Sequence, residues 1–348
     1  MAIKTSRRKL IKTTAGAAGA IGLASTLNFA PKAHASGHKK YVIYLNTHGS
    51  VDVSFWSACN NGFQAFCKAH NIDGRYVGTI QDGDVAEERA NLERIIAAGD
   101  ADAICQVFTD PEVLEEPSLK AIKRGIPIVA INSKDNRDPR RIPYLRYVGE
   151  DTYQVGRRNA TEALNSFKKI TGRAPNKSAY LEHVPGIWVL VERGRGMANV
   201  LEPEGTKFET VAVTPDPVQT SELVRAYLLQ NPDVETFHTG WSRPAVWAIK
   251  VLQEMGRLGN VNKPWKKGNV YVTGIDVDEE FLQFIENGDA VGTIDQQVYL
   301  QGWYGAAIAY QWVTHQFLID SDIGTGPYFV DGKIAGKFKE QAAKGLRA

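Results

Sequence analysis

The stretch NVYVTGIDVDEEFLQFIENGDAVGTIDQQVYLQG, Asn269 to Gly302, reads as strand, helix, strand. The apolar run Val270 to Thr273 ends at Gly274-Ile275-Asp276. A helical pattern follows with Phe281, Leu282 and Ile285 on one face, and Asn287-Gly288 closes it before Val291-Gly292-Thr293-Ile294. This is one βαβ unit. It sets Asp276 just past the carboxyl end of the first strand and Gln296 just past the end of the second, where open α/β sheets bind ligands. An acceptor-only carboxylate beside an amide that donates and accepts suits a neutral ligand carrying hydroxyls. A carboxylate after a strand is also a common helix cap or turn residue, so its position alone leaves both readings open.

Upstream, the same alternation runs from Tyr41. Strands are predicted at 41–46, 76–79, 103–108 and 126–131, with helices at 55–69, 85–98 and 112–124 between and after them. This is the pattern of a doubly wound, mostly parallel α/β sheet. A second round begins near Tyr147, where VGEDTYQVGR places Asp151 as an N-cap with Gln154 three residues on. Strands at 178–182, 207–213, 234–238 and 269–273 then alternate with helices from about Val189, Val218, Pro244 and Val277. Two rounds imply two lobes joined by a hinge: residues 36–147 plus 297–330, and residues 148–296. The helix predicted at 298–318 and an extended piece at 327–330 belong to the first of these divisions, and the polar, basic tail at 331–348 is expected to be loosely held.

A chain of 348 residues with 43% hydrophobic and 23% charged residues has ordinary soluble composition, which excludes disordered and fibrous classes. The net charge of +2 conceals an asymmetry, since residues 1–35 hold Lys4, Arg7, Arg8, Lys9, Lys12 and Lys32 and no acid. What remains is 35 basic against 39 acidic residues, a balance that recommends no nucleic-acid partner. SRRKLIK (Ser6 to Lys12), a weakly apolar Ala/Gly-rich run and Ala33-His34-Ala35 read as a cleavable export signal of the twin-arginine type, giving a periplasmic destination. Cys59, Cys67 and Cys105 make an odd count, and Cys59 and Cys67 sit too far apart on a helix, about 12 Å, to pair. Either could reach Cys105, and three buried free thiols are the alternative.

No catalytic, metal or cofactor motif stands out. In ERGRGMANV, Gly194-x-Gly196 is followed by Asn199 where a dinucleotide fingerprint needs glycine. The histidines are scattered, and no nucleophile context such as G-x-S-x-G occurs. Aromatic and polar residues at strand ends are the better candidates for a binding site. His48 and Asp52 lie in the loop after the first strand, Phe55 and Trp56 open the next helix, Asn132 follows the fourth strand, and Trp241 follows the strand ending at His238. Singly, each has a structural reading in a turn or core. Together they suit a cleft in which aromatic faces meet C–H surface and polar groups meet hydroxyls.

These pieces resemble type I periplasmic binding proteins of the ribose/galactose-binding group. The resemblance rests on FWSACNNGFQAF (Phe55 to Phe66), the strand entry Gly125 to Val129, VGEDTYQVGR, ERGRGM and GID...NGDAVGTIDQ, and it spans nearly all of the chain after residue 40. It implies a receptor that closes two lobes on a neutral sugar or polyol and delivers it to an ABC importer, its permease and ATPase, with no cofactor. It further implies that Phe55 and Trp56 sandwich the sugar ring, Arg193 grips hydroxyls, Asp276 accepts from paired hydroxyls and Gln296 contributes a hinge amide. His48, Asp52, Asn132 and Trp241 join them by position, with Trp188 as a further specificity contact. The chain departs from ribose binders at Asn132-Ser133, where Asp-Arg is expected, at Trp241, where Asn is expected, and at Val53, which replaces the Asn before the aromatic pair. Two other readings stay open: the same fold binding a signal molecule or nucleoside for a chemoreceptor, and an exported sugar-modifying enzyme.

Overall fold

Alternation of buried strands with one-sided helices builds two parallel-sheet lobes in the computed structural model, which describes residues 40–348. The export signal expected at residues 1–35 lies outside the described residues. The first round comprises β1 (Val42–Asn46), α1 (Ser54–Ala69), β2 (Asp73–Val77), α2 (Val85–Ala98), β3 (Ala103–Gln106), α3 (Pro111–Lys123), β4 (Ile128–Asn132) and β5 (Tyr147–Gly149). The second comprises α4 (Thr152–Thr171), β6 (Lys177–Glu182), α5 (Trp188–Leu201), β7 (Lys207–Ala212), α6 (Pro217–Gln230), β8 (Val234–Thr239), α7 (Ser242–Glu254), β9 (Tyr271–Ile275), α8 (Glu279–Glu286) and β10 (Gly292–Asp295). α9 (Val298–His315), β11 (Ile323–Gly324), β12 (Tyr328–Val330) and α10 (Ala335–Ala342) complete the chain.

The strand orders are β11-β5-β4-β3-β1-β2 and β12-β10-β9-β8-β6-β7. Both sheets therefore repeat one doubly wound order, whose connections switch sides between β1 and β3 and between β6 and β8, the place where such sheets receive ligands. Each sheet is covered by its own apolar core, one built around Ile43, Leu45, Phe63 and Val129, the other around Phe237, Val272, Phe281 and Leu282. α9 returns to the first lobe and packs on α1. In the second lobe α4 and α5 touch backbone to backbone: a Cβ on Gly156 would lie 2.0 Å from the Arg193 carbonyl, and one on Gly196 would lie 2.2 Å from that of Tyr153. Gly156 of α4 and Gly196 of ERGRGM are thus the packing devices at this crossing.

Aspartates cap five helices. Asp84, Asp110, Asp151, Asp216 and Asp278 each accept a backbone N–H in the first turn of the helix they open. Asp278 accepts from Glu280 N (3.0 Å) and Phe281 N (3.2 Å), so capping α8 does not fall to Asp276.

Three expectations need correction. β2 begins at Asp73, three residues ahead of the predicted start, because it is an edge strand whose Asp73 and Arg75 pair on the solvent side and break the apolar pattern. The extended piece at 328–330 belongs to the second lobe, where β12 runs antiparallel to β10. The tail is not loose: α10 packs on α8, Ala335 and Phe338 are buried, and the Arg347 guanidinium lies over the Phe338 ring and pairs with the buried Asp295.

Candidate functional site

The carboxyl ends of the two sheets face each other across a cleft of about 770 Å³, counting its open mouth. Both lobes line it, and three crossovers join them: Glu150-Asp151 after β5, Gln296-Gln297 after β10, and the residues between β11 and β12. Glutamine amides lace these crossovers, with Gln297 Nε2 donating to Thr325 O (2.6 Å) and Gln301 Nε2 to Thr325 Oγ1 (3.2 Å).

At the hinge end, Asn132 and Asp276 both take left-handed backbone conformations (φ 60° and 72°) at the ends of β4 and β9. Asn and Asp tolerate this region better than other side chains, and such residues gather at ligand sites. Gln296 Nε2 donates to Asp276 Oδ1 (2.5 Å), and Asn132 Nδ2 donates to Gln301 Oε1 (3.1 Å). Burial, opposed by the nearby Arg193 and reinforced by Glu150, pushes the Asp276 carboxyl up to about 8. Asp276 is therefore mostly protonated at neutral pH.

Arg193, buried on α5, is held by Glu150. Glu150 Oε1 accepts from Nε (3.0 Å) and Nη2 (2.5 Å), while Nη1 donates to Gly240 O (2.8 Å). A guanidinium has five N–H donors, so two remain for the cleft. The carboxylate bonded to Arg193 is Glu150, fully buried in the crossover, and not Asp276. The pair is electrically closed, which leaves no net charge at this end for a charged ligand to answer.

At the outer end, Trp56 Nε1 donates to Asp82 Oδ1 (3.2 Å), and His48 Nδ1 stands 3.4 Å from the same oxygen. Burial disfavours the Asp82 charge, but His48 and the indole N–H outweigh it and hold the carboxyl below its usual range. A Cβ on Gly49 would lie 2.1 Å from Trp56 Nε1 and 2.6 Å from Asp82 Oδ1, so only glycine permits this packing. Across the cleft, burial and the nearby Arg193 push His183 down to about 4, which keeps it neutral, and Trp241 lies with its ring 5.5 Å from that imidazole.

Of the residues singled out from sequence, His48, Phe55, Trp56, Asn132, Arg193, Trp241, Asp276 and Gln296 line this one cleft. Asp52 does not: it is exposed and accepts from Ser50 Oγ (3.1 Å) in its own loop. Trp188 also lies outside the lining, although Ile187 and Val189 belong to it. Phe55 and Trp56 cannot sandwich a ring between them, because their centroids are 4.9 Å apart and their planes meet at 84°. Trp56 is buried and fastens Asp82, while Phe55 and Trp241, one from each lobe, are the less enclosed aromatic surfaces. Sequence reasoning missed Asp82, Glu150 and His183. Asp82 and His183 do occupy the loops after β2 and β6, the position that selected the other candidates, and Glu150 stands inside the quoted VGEDTYQVGR.

A family model described as "Periplasmic binding protein domain" matches residues 43–316. The chain is 24% identical over 300 residues to the xylose/arabinose-binding protein XylF of Sulfolobus acidocaldarius, covering 84% of this chain and 71% of that protein. It is 21% identical over 263 residues to a D-ribose/D-allose-binding protein of Pseudomonas aeruginosa, covering 75% and 78%. Among solved structures, a carbohydrate transporter from Acidothermus cellulolyticus 11B in complex with myo-inositol superposes with a TM-score of 0.76 at 22% identity, covering 89% of this chain and all of that one.

Proposed function

Because the chain belongs to the periplasmic binding protein family, we propose that it is a solute receptor that captures a neutral sugar or polyol by closing its lobes and hands it to an ABC importer. The observation that carries this reading is the cleft, which Phe55 and Trp241 line from opposite lobes and where Asn132, Arg193, Asp276 and Gln296 converge beside the hinge. Spare guanidinium N–H groups, a carboxyl and two amides match a ligand whose every edge both donates and accepts. The self-neutralised Arg193–Glu150 pair argues against an anionic ligand. The xylose, arabinose, ribose and allose named for the relatives fit that chemistry.

Binding proceeds by hinge closure in this reading. Each lobe supplies part of the contacts, so the ligand stabilises the closed arrangement by its differential affinity for it, and the closed outer surface is what the permease and its ATPase engage. Residues 1–35 direct the chain to the periplasm by the twin-arginine route, and the protein performs no chemistry on what it carries. A thermal-shift screen of the purified protein against pentoses, hexoses, cyclitols, linear polyols and a nucleoside tests this. A ligand at about 1,000 times its Kd adds roughly 4 kcal/mol, enough to raise the Tm by several degrees. A shift with neutral sugars or polyols and recovery of the same sugar unchanged is the expected result. A shift with the nucleoside alone, or conversion of the sugar, would overturn it.

A further inference from the structure

The cleft has a second polar end that the hinge contacts do not use. His48 follows β1 and Asp82 follows β2, whereas Asn132 ends β4, and β3 separates β4 from β1. In the second lobe His183 follows β6, whereas Asp276 follows β9, with β8 between them. Neighbouring strands lie about 4.8 Å apart, so His48 and His183 are each displaced about 10 Å outward from the hinge groups of their own sheet. Asp82 stands one strand farther out and reaches back toward His48.

This outer end is built. Gly83 N donates to His48 O (2.8 Å), which fastens the loop after β2 to the loop after β1. Both contacts to the Asp82 carboxylate, from Trp56 Nε1 and His48 Nδ1, fall on Oδ1, and the side chain keeps 37% of its surface exposed. The second oxygen of an ionised carboxylate is therefore presented to the cleft as an acceptor. His48 Nδ1 is committed to Asp82, whereas His183 Nδ1 is a buried atom without a hydrogen-bond partner among the described residues. Buried polar atoms are ordinarily satisfied, so an unsatisfied His183 facing the free Asp82 oxygen across the cleft invites a ligand that joins them.

We propose that His48, Asp82 and His183 form a second recognition pole that holds the hydroxyl on the far side of a six-membered polyol ring, a hexopyranose or cyclitol, from the edge held by Asp276 and Gln296. The proposal rests on the sugar-receptor reading above and names the ligand class within it. With bonds of about 1.5 Å, equatorial oxygens on opposite ring carbons stand about 6 Å apart. A hydrogen bond of about 2.8 Å at each end extends the reach to about 11–12 Å, close to the offset between the two poles. A three-carbon polyol held at the hinge would leave the outer pole to water.

Calorimetric titration of the wild-type protein, Asp82→Asn and Asp276→Asn tests this, using D-glucose, D-allose, D-xylose, myo-inositol and the monodeoxy analogues of whichever binds best. Asp82→Asn retains an acceptor for the Trp56 indole and lies on a loop, so its Tm should match the wild type. The expected result is a 10- to 100-fold loss of affinity in each variant. One deoxy analogue should bind wild type and Asp82→Asn equally, and a different one, lacking the hydroxyl across the ring, should bind wild type and Asp276→Asn equally. An Asp82→Asn affinity within twofold of wild type, or the same analogue proving indifferent to both substitutions, would overturn the proposal while leaving the receptor reading intact. Binding of a linear polyol alone would overturn the proposal and leave the receptor reading, whereas failure of every sugar, cyclitol and linear polyol to bind the wild type would remove both.

Discussion

Sugar binding should expel a proton from Asp276. In the empty protein this carboxyl is buried, bonded to Gln296 and pushed up to about 8, so at pH 7 only roughly one molecule in ten is ionised. Hydroxyl groups donating to the carboxylate favour the ionised form. The ligand therefore selects the minor species, and its apparent affinity is reduced by the fraction available. Raising the pH from 7 to 9 should tighten binding about tenfold, or about 1.4 kcal/mol, and flatten above pH 9. At pH 7 close to one proton should leave per ligand bound. Arg193 stays charged, and the pKa of Glu150 is raised by burial against the pull of Arg193. Glu88, buried under the first-lobe end of the cleft and pushed up to about 7, titrates in the same region. The Asp276→Asn variant separates Asp276 from these groups.

The assay is calorimetric titration in phosphate and in Tris at matched pH, whose different ionisation enthalpies turn a released proton into a difference in observed heat. Equal heats in the two buffers, or an equal proton count in Asp276→Asn, would refute the reasoning. The same carboxyl sets a sign for stability. The unfolded chain releases this proton near 3.8 and the folded empty protein retains it to about 8, so folding takes up a proton between those values. Stability of the ligand-free protein should accordingly fall as pH rises through that window, and Glu88 acts in the same direction from 4.5 to about 7. His183 and His238, pushed down to about 4 and about 3, act the other way below about 6.5, so a ligand-free Tm that rises between pH 6.5 and 8 would contradict the assignment.

Further tests follow from the same contacts. Glu150→Ala strands a buried guanidinium and should cost about 3–5 kcal/mol of stability together with sugar binding, read by denaturant unfolding and titration; an unchanged midpoint would show Arg193 to be solvated. Arg347→Ala leaves Asp295 buried without its cation beside the β10 crossover, and should cost about 2–3 kcal/mol by the same unfolding assay. Gly156→Val drives a side chain into the Arg193 carbonyl, so it should abolish sugar binding in titration even where circular dichroism shows a folded chain. Cys59, Cys67 and Cys105 are free and buried, and burial pushes the first two thiols up to about 12. Iodoacetamide at pH 8 should leave the native protein unmodified and label three sites in denaturant.

Local signals were readable in the sequence, and lateral ones were not. The strand and helix alternation follows from apolar runs and aspartate caps, each decided within a few residues, which is why βαβ units could be read one after another. The ambiguity over Asp276 is local too, and its answer stands two positions away: with Asp278 capping α8, Asp276 is released to the cleft. Asp82 and His183 needed the strand order, because only the sheet sequence β2-β1-β3 against β7-β6-β8 brings their loops to one end of one cleft. Glu150 needed the crossing of α4 and α5, which carries Arg193 back over the hinge. The tail misled through composition, since its lysines conceal a stripe of Ala335, Phe338 and Ala342 at helical spacing against α8. Asp52 adjoins the aromatic pair in sequence, yet the Trp56 indole donates to Asp82, beyond α1 and β2. The ligand chemistry of such a cleft is therefore decided by which strands are neighbours, and a substitution at Asp82 tests that reasoning at its longest reach.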